Sequence, residues 1–285
     1  MKNSLIKEID KVKYFNINEE EILNNKWIKI YVVENRIDIY NEIARVMAEK
    51  IKENNKSNTT TSFILPIGPK GQYRRFAAIC NMENISCKNL ITINMDEYLD
   101  DSDNLISEDS PLSFRSFMKK DLFNLLDDDL KIKPENILFP DPGNILQIEK
   151  AISEMGGVDI CFGGIGINGH IAFNEPMDEN LITVDEFKGL KTRVLDISPE
   201  TILMNSIKYG GHTEFIPRRC ITLGIAEIFM SKEIRFYLEH NWQSAVLRRA
   251  IFEKPTPSFP ATYLKEHKNS SITISKNVLR RYVRQ

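Results

Sequence analysis

No apolar run in this 285-residue chain approaches the ~20 residues needed to cross a bilayer. Its first residues also lack the apolar core of a signal peptide, so a cytoplasmic protein is expected. No charge excess exists either. Thirty-eight basic residues face 40 acidic ones, which gives no support for a nucleic-acid or membrane-surface partner. Cysteine is scarce. Cys80, Cys87, Cys161 and Cys220 have no C-x-x-C spacing, so buried free thiols are expected, with no metal site. What remains is the composition of an ordinary globular chain, long enough for one large domain or two small ones. Glycine is sparse as well, 13 in all, yet four of them crowd between Gly163 and Gly169.

That cluster lies in Val158–Pro176, VDICFGGIGINGHIAFNEP. Val158–Phe162 is an apolar run of strand length. Gly163, Gly164, Gly166 and Gly169 then allow a tight turn and close approach of a ligand. His170 follows the turn, and Asn174-Glu175-Pro176 stops a helix from starting at once. An imidazole on such a strand exit suits proton transfer, with Glu175 to orient it. A competing reading comes from Gly164, Gly166 and Gly169, which spell the dinucleotide fingerprint G-x-G-x-x-G. That fingerprint needs a helix opening at its third glycine to hold a pyrophosphate. Ile-Ala-Phe-Asn-Glu-Pro is a poor helix start. Asp185 and Glu186 stand at about the right distance for a ribose, but no strand leads into them. The nucleotide reading is disfavoured.

Residues 1–26 are charged and asparagine-rich with an irregular apolar period, and read as an appended helix or arm outside the core. Residues 27–285 read as one domain in which strands and helices alternate. Strands are expected at 27–34, 61–67, 90–95, 158–162, 193–197, 219–223, 233–238 and 271–274. Helices are expected at 37–53, after 67 to about 82, 113–126, 199–207, 241–252 and 257–266, with one more before 158. The alternation predicts a doubly wound α/β fold: a mostly parallel, Rossmann-like sheet with helices on both faces. Ligands of such sheets bind beyond the carboxyl ends of the strands. Three loops would open there together: Pro66–Gly71, Asp96–Glu97–Tyr98 and Gly163–Glu175. Taken alone, the adjacent carboxylates of NMDEYL (94–99) are a solvated acidic turn. Beside His170 and Glu175 in one cleft, Asp96 instead suits enolisation, the transfer of a proton between neighbouring carbons.

At these residues the chain resembles the glucosamine-6-phosphate deaminase/isomerase family, related to the 6-phosphogluconolactonases. The resemblance spans about Trp27 to Ile274. It rests on NMDEYL, SFRSFM (113–118) and GGIGINGHIAFNEP, with RCITLGIAEIFMSKEI (219–234) and SFPATYLKEH (258–267) in support. It implies a metal-independent aldose–ketose isomerase, deaminating an amino sugar or its phosphate without a cofactor, and commonly a homo-oligomer. By matching position Asp96 is the implied base between C2 and C1, His170 opens the ring, and Glu175 orients His170. Asn168 stands where some members carry Asp and others Asn, which leaves Glu175 the carboxylate partner of His170.

The positions expected to bind substrate are Gly68, Lys70, Glu97, Arg115, Gly169, Lys208 and Gln243. Here the chain departs from the family. A Thr/Ser-Gly-Gly-Thr-Pro phosphate loop is replaced by Ile67-Gly68-Pro69-Lys70-Gly71, which loses a hydroxyl and a backbone donor. Asn205-Ser206 is followed by Ile207 where an Arg is usual, and Gln243 stands for a phosphate-binding Lys. Lys70, Arg74, Arg115, Lys208 or His240 remain to hold an anion. His212 and His267 read as structural or exposed. Thr192-Arg193 matches a position that binds an effector in some members. The alternatives are a non-catalytic sugar sensor and, more weakly, a sugar lactonase.

Overall fold

The computed structural model describes Tyr14 and residues 16–280. Along the chain the strands are β1 (Lys29–Val33), β2 (Thr61–Leu65), β3 (Leu90–Asn94), β4 (Asp96–Leu99) and β5 (Ile137–Leu138). They continue as β6 (Val158–Gly163), β7 (Arg193–Asp196), β8 (Arg219–Thr222), β9 (Ser231–Leu238) and β10 (Ser270–Ser275). Every residue of β2 and of β6 is buried, as expected for strands covered on both faces. Their alternating side chains feed two cores. Phe63, Leu65, Ile160 and Phe162 pack on one side of the sheet, and Ile64 and Cys161 on the other.

Seven strands form the main sheet in the order β1-β10-β9-β6-β2-β3-β5, with every pairing parallel. One face carries helices Arg36–Lys56, Gln72–Glu83 and Phe114–Asp121. The first of these shows why they form. Asn35 caps it in a capping box with Asp38, and Ile39, Ile43, Met47 and Ile51 make a buried stripe four residues apart. The other face carries Leu146–Glu154 and Gln243–Phe252.

Several expectations are corrected here. Asp96–Leu99 is a strand, and β4, β8 and β7 form a separate three-stranded antiparallel sheet. The helix expected at 257–266 is a 3₁₀ segment, Pro260–Glu266, and the proline-rich connection contains the short edge strand β5. The expected arm at 1–26 lies partly outside the described residues. Its later part belongs to the core: a short helix, Glu19–Leu23, buries Ile22, and Ile17 packs beside it. No helix among the described residues is long and apolar enough to cross a membrane.

Candidate active site

The exits of β2, β6 and β9 meet the edge of the small sheet in a cleft of about 240 Å³. Asp96 sits in its wall because β4 starts one residue after β3 ends, and turns away into the antiparallel sheet. Side chains alternate along β4. Asp96 and Tyr98 therefore face the cleft, while Glu97 faces the protein.

Burial, and then the neighbouring charge of Glu97, pushes the Asp96 carboxyl up to about 8. Glu97 itself is fully buried. It accepts hydrogen bonds from the amides of Tyr98 (2.9 Å), Phe114 (3.0 Å) and Arg115 (2.9 Å), from Ser113 Oγ (3.2 Å) and from Arg115 Nε (3.2 Å). Neither Glu97 nor Arg115, both expected at the substrate, lines the cleft. Glu97 fastens the amino end of helix Phe114–Asp121, where a carboxylate is favoured, and Arg115 is spent on Glu97 and on the Ile106 carbonyl.

The glycine-rich turn delivers His170 to the same cleft. No helix opens after Gly169; the chain turns through an Ile171–Asn174 bridge, so the pyrophosphate seat of a dinucleotide site is missing. A side chain at Gly166 would collide with the imidazole, its Cβ falling 2.0 Å from His170 Cε1. Gly169, expected to touch substrate, lies against the Phe259 ring with φ +89° instead.

His170 Nδ1 lies 2.8 Å from Asn168 Oδ1, 3.1 Å from Thr201 Oγ1 and 3.7 Å from Glu175 Oε2. Asn168 Nδ2 donates to Glu175 Oε2 (2.7 Å) and to Ser198 Oγ (2.9 Å). A carboxylate only accepts, so the Asn168 amide nitrogen must face Glu175 and its oxygen must face His170. The proton of neutral His170 then sits on Nδ1, and Nε2 is free to accept. Burial alone would push the Glu175 carboxyl up. The His170 imidazole, with Thr201 and Asn168, outweighs it and holds the group at about 2.

At the far end the cleft meets Gly68, Lys70, Lys208, Glu239, His240 and Gln243. Lys70 lies over the Phe117 ring, and neither lysine has an ion pair among the described residues. Burial, then the charge of Lys208, holds the Lys70 ammonium below its usual range. Gln243 lines the cleft and also braces its wall. Its Oε1 accepts from the amides of Glu239 and His240 (both 2.9 Å), and its Nε2 donates to the Ile165 carbonyl (2.9 Å). It staples the β9 exit to the β6 exit. Arg74 lies outside the cleft, paired with Asp121, as do His212 and His267. Tyr98, whose hydroxyl accepts from Asn205 (2.8 Å), belongs to the site, as do Ser198 and Thr201 behind His170. Sequence reasoning put Tyr98 in a loop opening on the cleft and noted Asn205 beside a lost Arg, but assigned none of the four side chains a place in the site. Ser198-Pro199 carries the signal of a helix start, but nothing local reveals that this cap meets Asn168.

No protein-family model matches the chain. The chain is similar to the glucosamine-6-phosphate deaminase of Mycoplasma mycoides subsp. mycoides SC, at 30% identity over 253 residues, 88% of this chain and 96% of that protein. Among solved structures, a monomeric glucosamine-6-phosphate deaminase superposes with a TM-score of 0.76 at 26% identity, covering 89% of this chain and 100% of the other. A 6-phosphogluconolactonase from Thermotoga maritima shares the fold, with a TM-score of 0.59 at 18% identity, covering 87% and 99% of the two chains.

Proposed function

Because the chain belongs to the glucosamine-6-phosphate deaminase family, we propose that it converts an amino sugar phosphate into the corresponding ketose, releasing ammonia. The observation that carries this reading is one cleft lined by both the buried Asp96 carboxyl and a His170 whose Nε2 is free.

His170 Nε2 takes the proton from the anomeric hydroxyl and returns it to the ring oxygen, opening the ring. Nδ1 stays hydrogen-bonded to Asn168, and the Glu175 charge stabilises the imidazolium that forms. Ionised Asp96 then removes the proton from C2. The C2–H pair becomes the C1–C2 double bond and the displaced carbonyl pair takes a proton from solvent, giving an enolamine. Return of the proton to C1 leaves an iminium at C2, which water hydrolyses to the ketose and ammonia.

Lys70 and Lys208 both line the cleft without an ion pair among the described residues, which supports them as the cations that take the distal anion. One charge-assisted contact is worth about 1.5–3 kcal/mol. Lys70→Ala and Lys208→Ala should therefore each raise KM for glucosamine 6-phosphate about tenfold or more, and leave kcat within about threefold. Steady-state kinetics on a panel of hexosamines and their 6-phosphates tests this. Equal turnover of phosphorylated and free sugars, unaffected by either substitution, would rule out the lysine anchor. Binding without any turnover would favour an idle sensor.

A further inference from the structure

One register row crosses the small sheet: Asp96 on β4, Thr222 on β8 and Arg193 on β7. Residues in one row stand on the same face. Here Thr222 and Arg193 both grip the turn that carries His170 and Glu175. Thr222 Oγ1 accepts from the Phe173 amide at 3.0 Å. Arg193 Nη1 donates to Asn174 Oδ1 at 2.8 Å and to the Lys191 carbonyl at 3.3 Å.

Asn174 is fully buried, and its Nδ2 donates to the carbonyls of Ile171 (2.9 Å) and Leu223 (2.8 Å). The turn is not one the backbone adopts freely. Ala172 holds a left-handed φ of +54°, which a non-glycine residue keeps only where its surroundings impose it. The next residue along from Asn174 is Glu175, which reaches His170 through Asn168 and directly at 3.7 Å. The base and the turn that carries His170 are thus referred to one row of one sheet.

We infer that Arg193 is a positioning residue: by holding Asn174 it sets the His170–Glu175 turn relative to Asp96. One cationic nitrogen, Nη1, serves the side-chain and main-chain acceptors together, a task a lysine ammonium of similar reach can also perform. The kinetic part of this inference rests on the reaction proposed above. The part concerning His170 does not.

The test uses the full chain and the variants Arg193→Met and Arg193→Lys. The protein has four histidines, so imidazole 15N resonances can be followed singly. In the wild type neutral His170 should show one tautomer, protonated at Nδ1. In Arg193→Met that pattern should become mixed while His212, His240 and His267 are unchanged. For the sugar that the wild type turns over best, kcat should fall about 10- to 100-fold with KM within about threefold, and Arg193→Lys should recover most of the loss. Wild-type His170 signals together with wild-type kcat in Arg193→Met would overturn the inference. So would shifts in all four histidines with a lowered Tm and no recovery by lysine, the mark of a merely structural role. If the wild type turns over no sugar, the proposed reaction fails, and the His170 spectrum still decides the role of Arg193. Should Arg193→Met not fold, Arg193→Lys is read in its place, with a smaller shift confined to His170 supporting the inference and an unchanged spectrum overturning it.

Discussion

Asp96, in the cleft wall, and Glu175, behind His170, are two carboxylates driven in opposite directions. Burial and Glu97 raise Asp96 to about 8, while Glu175, in spite of its burial, is held at about 2 by His170 and its partners. In the proposed reaction that opposite displacement divides their roles: one acid moves a proton, the other keeps its charge. A base must be ionised, so kcat/KM should rise with pH through about 8 as free Asp96 loses its proton. Stability should move the other way. Between its ordinary 3.8 and about 8, folded Asp96 keeps a proton that the unfolded chain has lost, so this group subtracts stability as pH rises through that window. Glu175 does the reverse. Its contribution is present above its unfolded value of 4.5 and disappears as pH falls towards about 2. Asp96→Asn should therefore gain stability relative to the wild type on going from pH 5 to pH 9, measured by urea unfolding at both. No relative gain would mean that the buried carboxyl is not proton-holding.

The small antiparallel sheet is the element that turns a parallel α/β scaffold into this site. Glu97→Gln should show its weight. The amide keeps one acceptor oxygen but removes the charge facing Arg115 and turns an NH2 donor towards donors the second oxygen had served, at about 2–4 kcal/mol in denaturant unfolding. A loss below about 0.5 kcal/mol would contradict the fastening role. This sheet was also the least legible part of the fold. β2 and β6 announce themselves as buried apolar runs, whereas β4 has four residues, two of them acidic, and pairs with a single strand far along the chain. Read as a turn, Asp96 and Glu97 look equivalent. Read as a strand, alternation sends them to opposite faces, one to the cleft and one to the helix. His170 and Glu175 were legible because their motif is contiguous. Gln243 was not, because its partners are backbone groups of two loops that only the fold brings together.

At the scale of the molecule, both ends of the described chain converge on one side chain. Arg248 is buried and donates to the carbonyls of Ile17 (2.8 Å), Ser244 (2.9 Å) and Leu279 (2.9 Å). Arg248→Met should lower stability by about 2–4 kcal/mol by leaving buried carbonyls without a donor, while kcat below the transition stays at the wild-type value. Unchanged unfolding would show that the ends are held by Ile17, Ile22 and their apolar neighbours alone.

Proton transfer between C1 and C2 by Asp96 is the centre of the account, and solvent deuterium reports it directly. Glucosamine 6-phosphate incubated in D2O with the wild type should take up deuterium at C1 of the ketose and, during reversal, at C2 of the aldose. Asp96→Asn, with the same fold, should slow exchange at both carbons by about 10²- to 10⁴-fold. Equal exchange in the two proteins would contradict the assignment of Asp96, and no exchange in the wild type with any hexosamine phosphate would contradict the reaction itself.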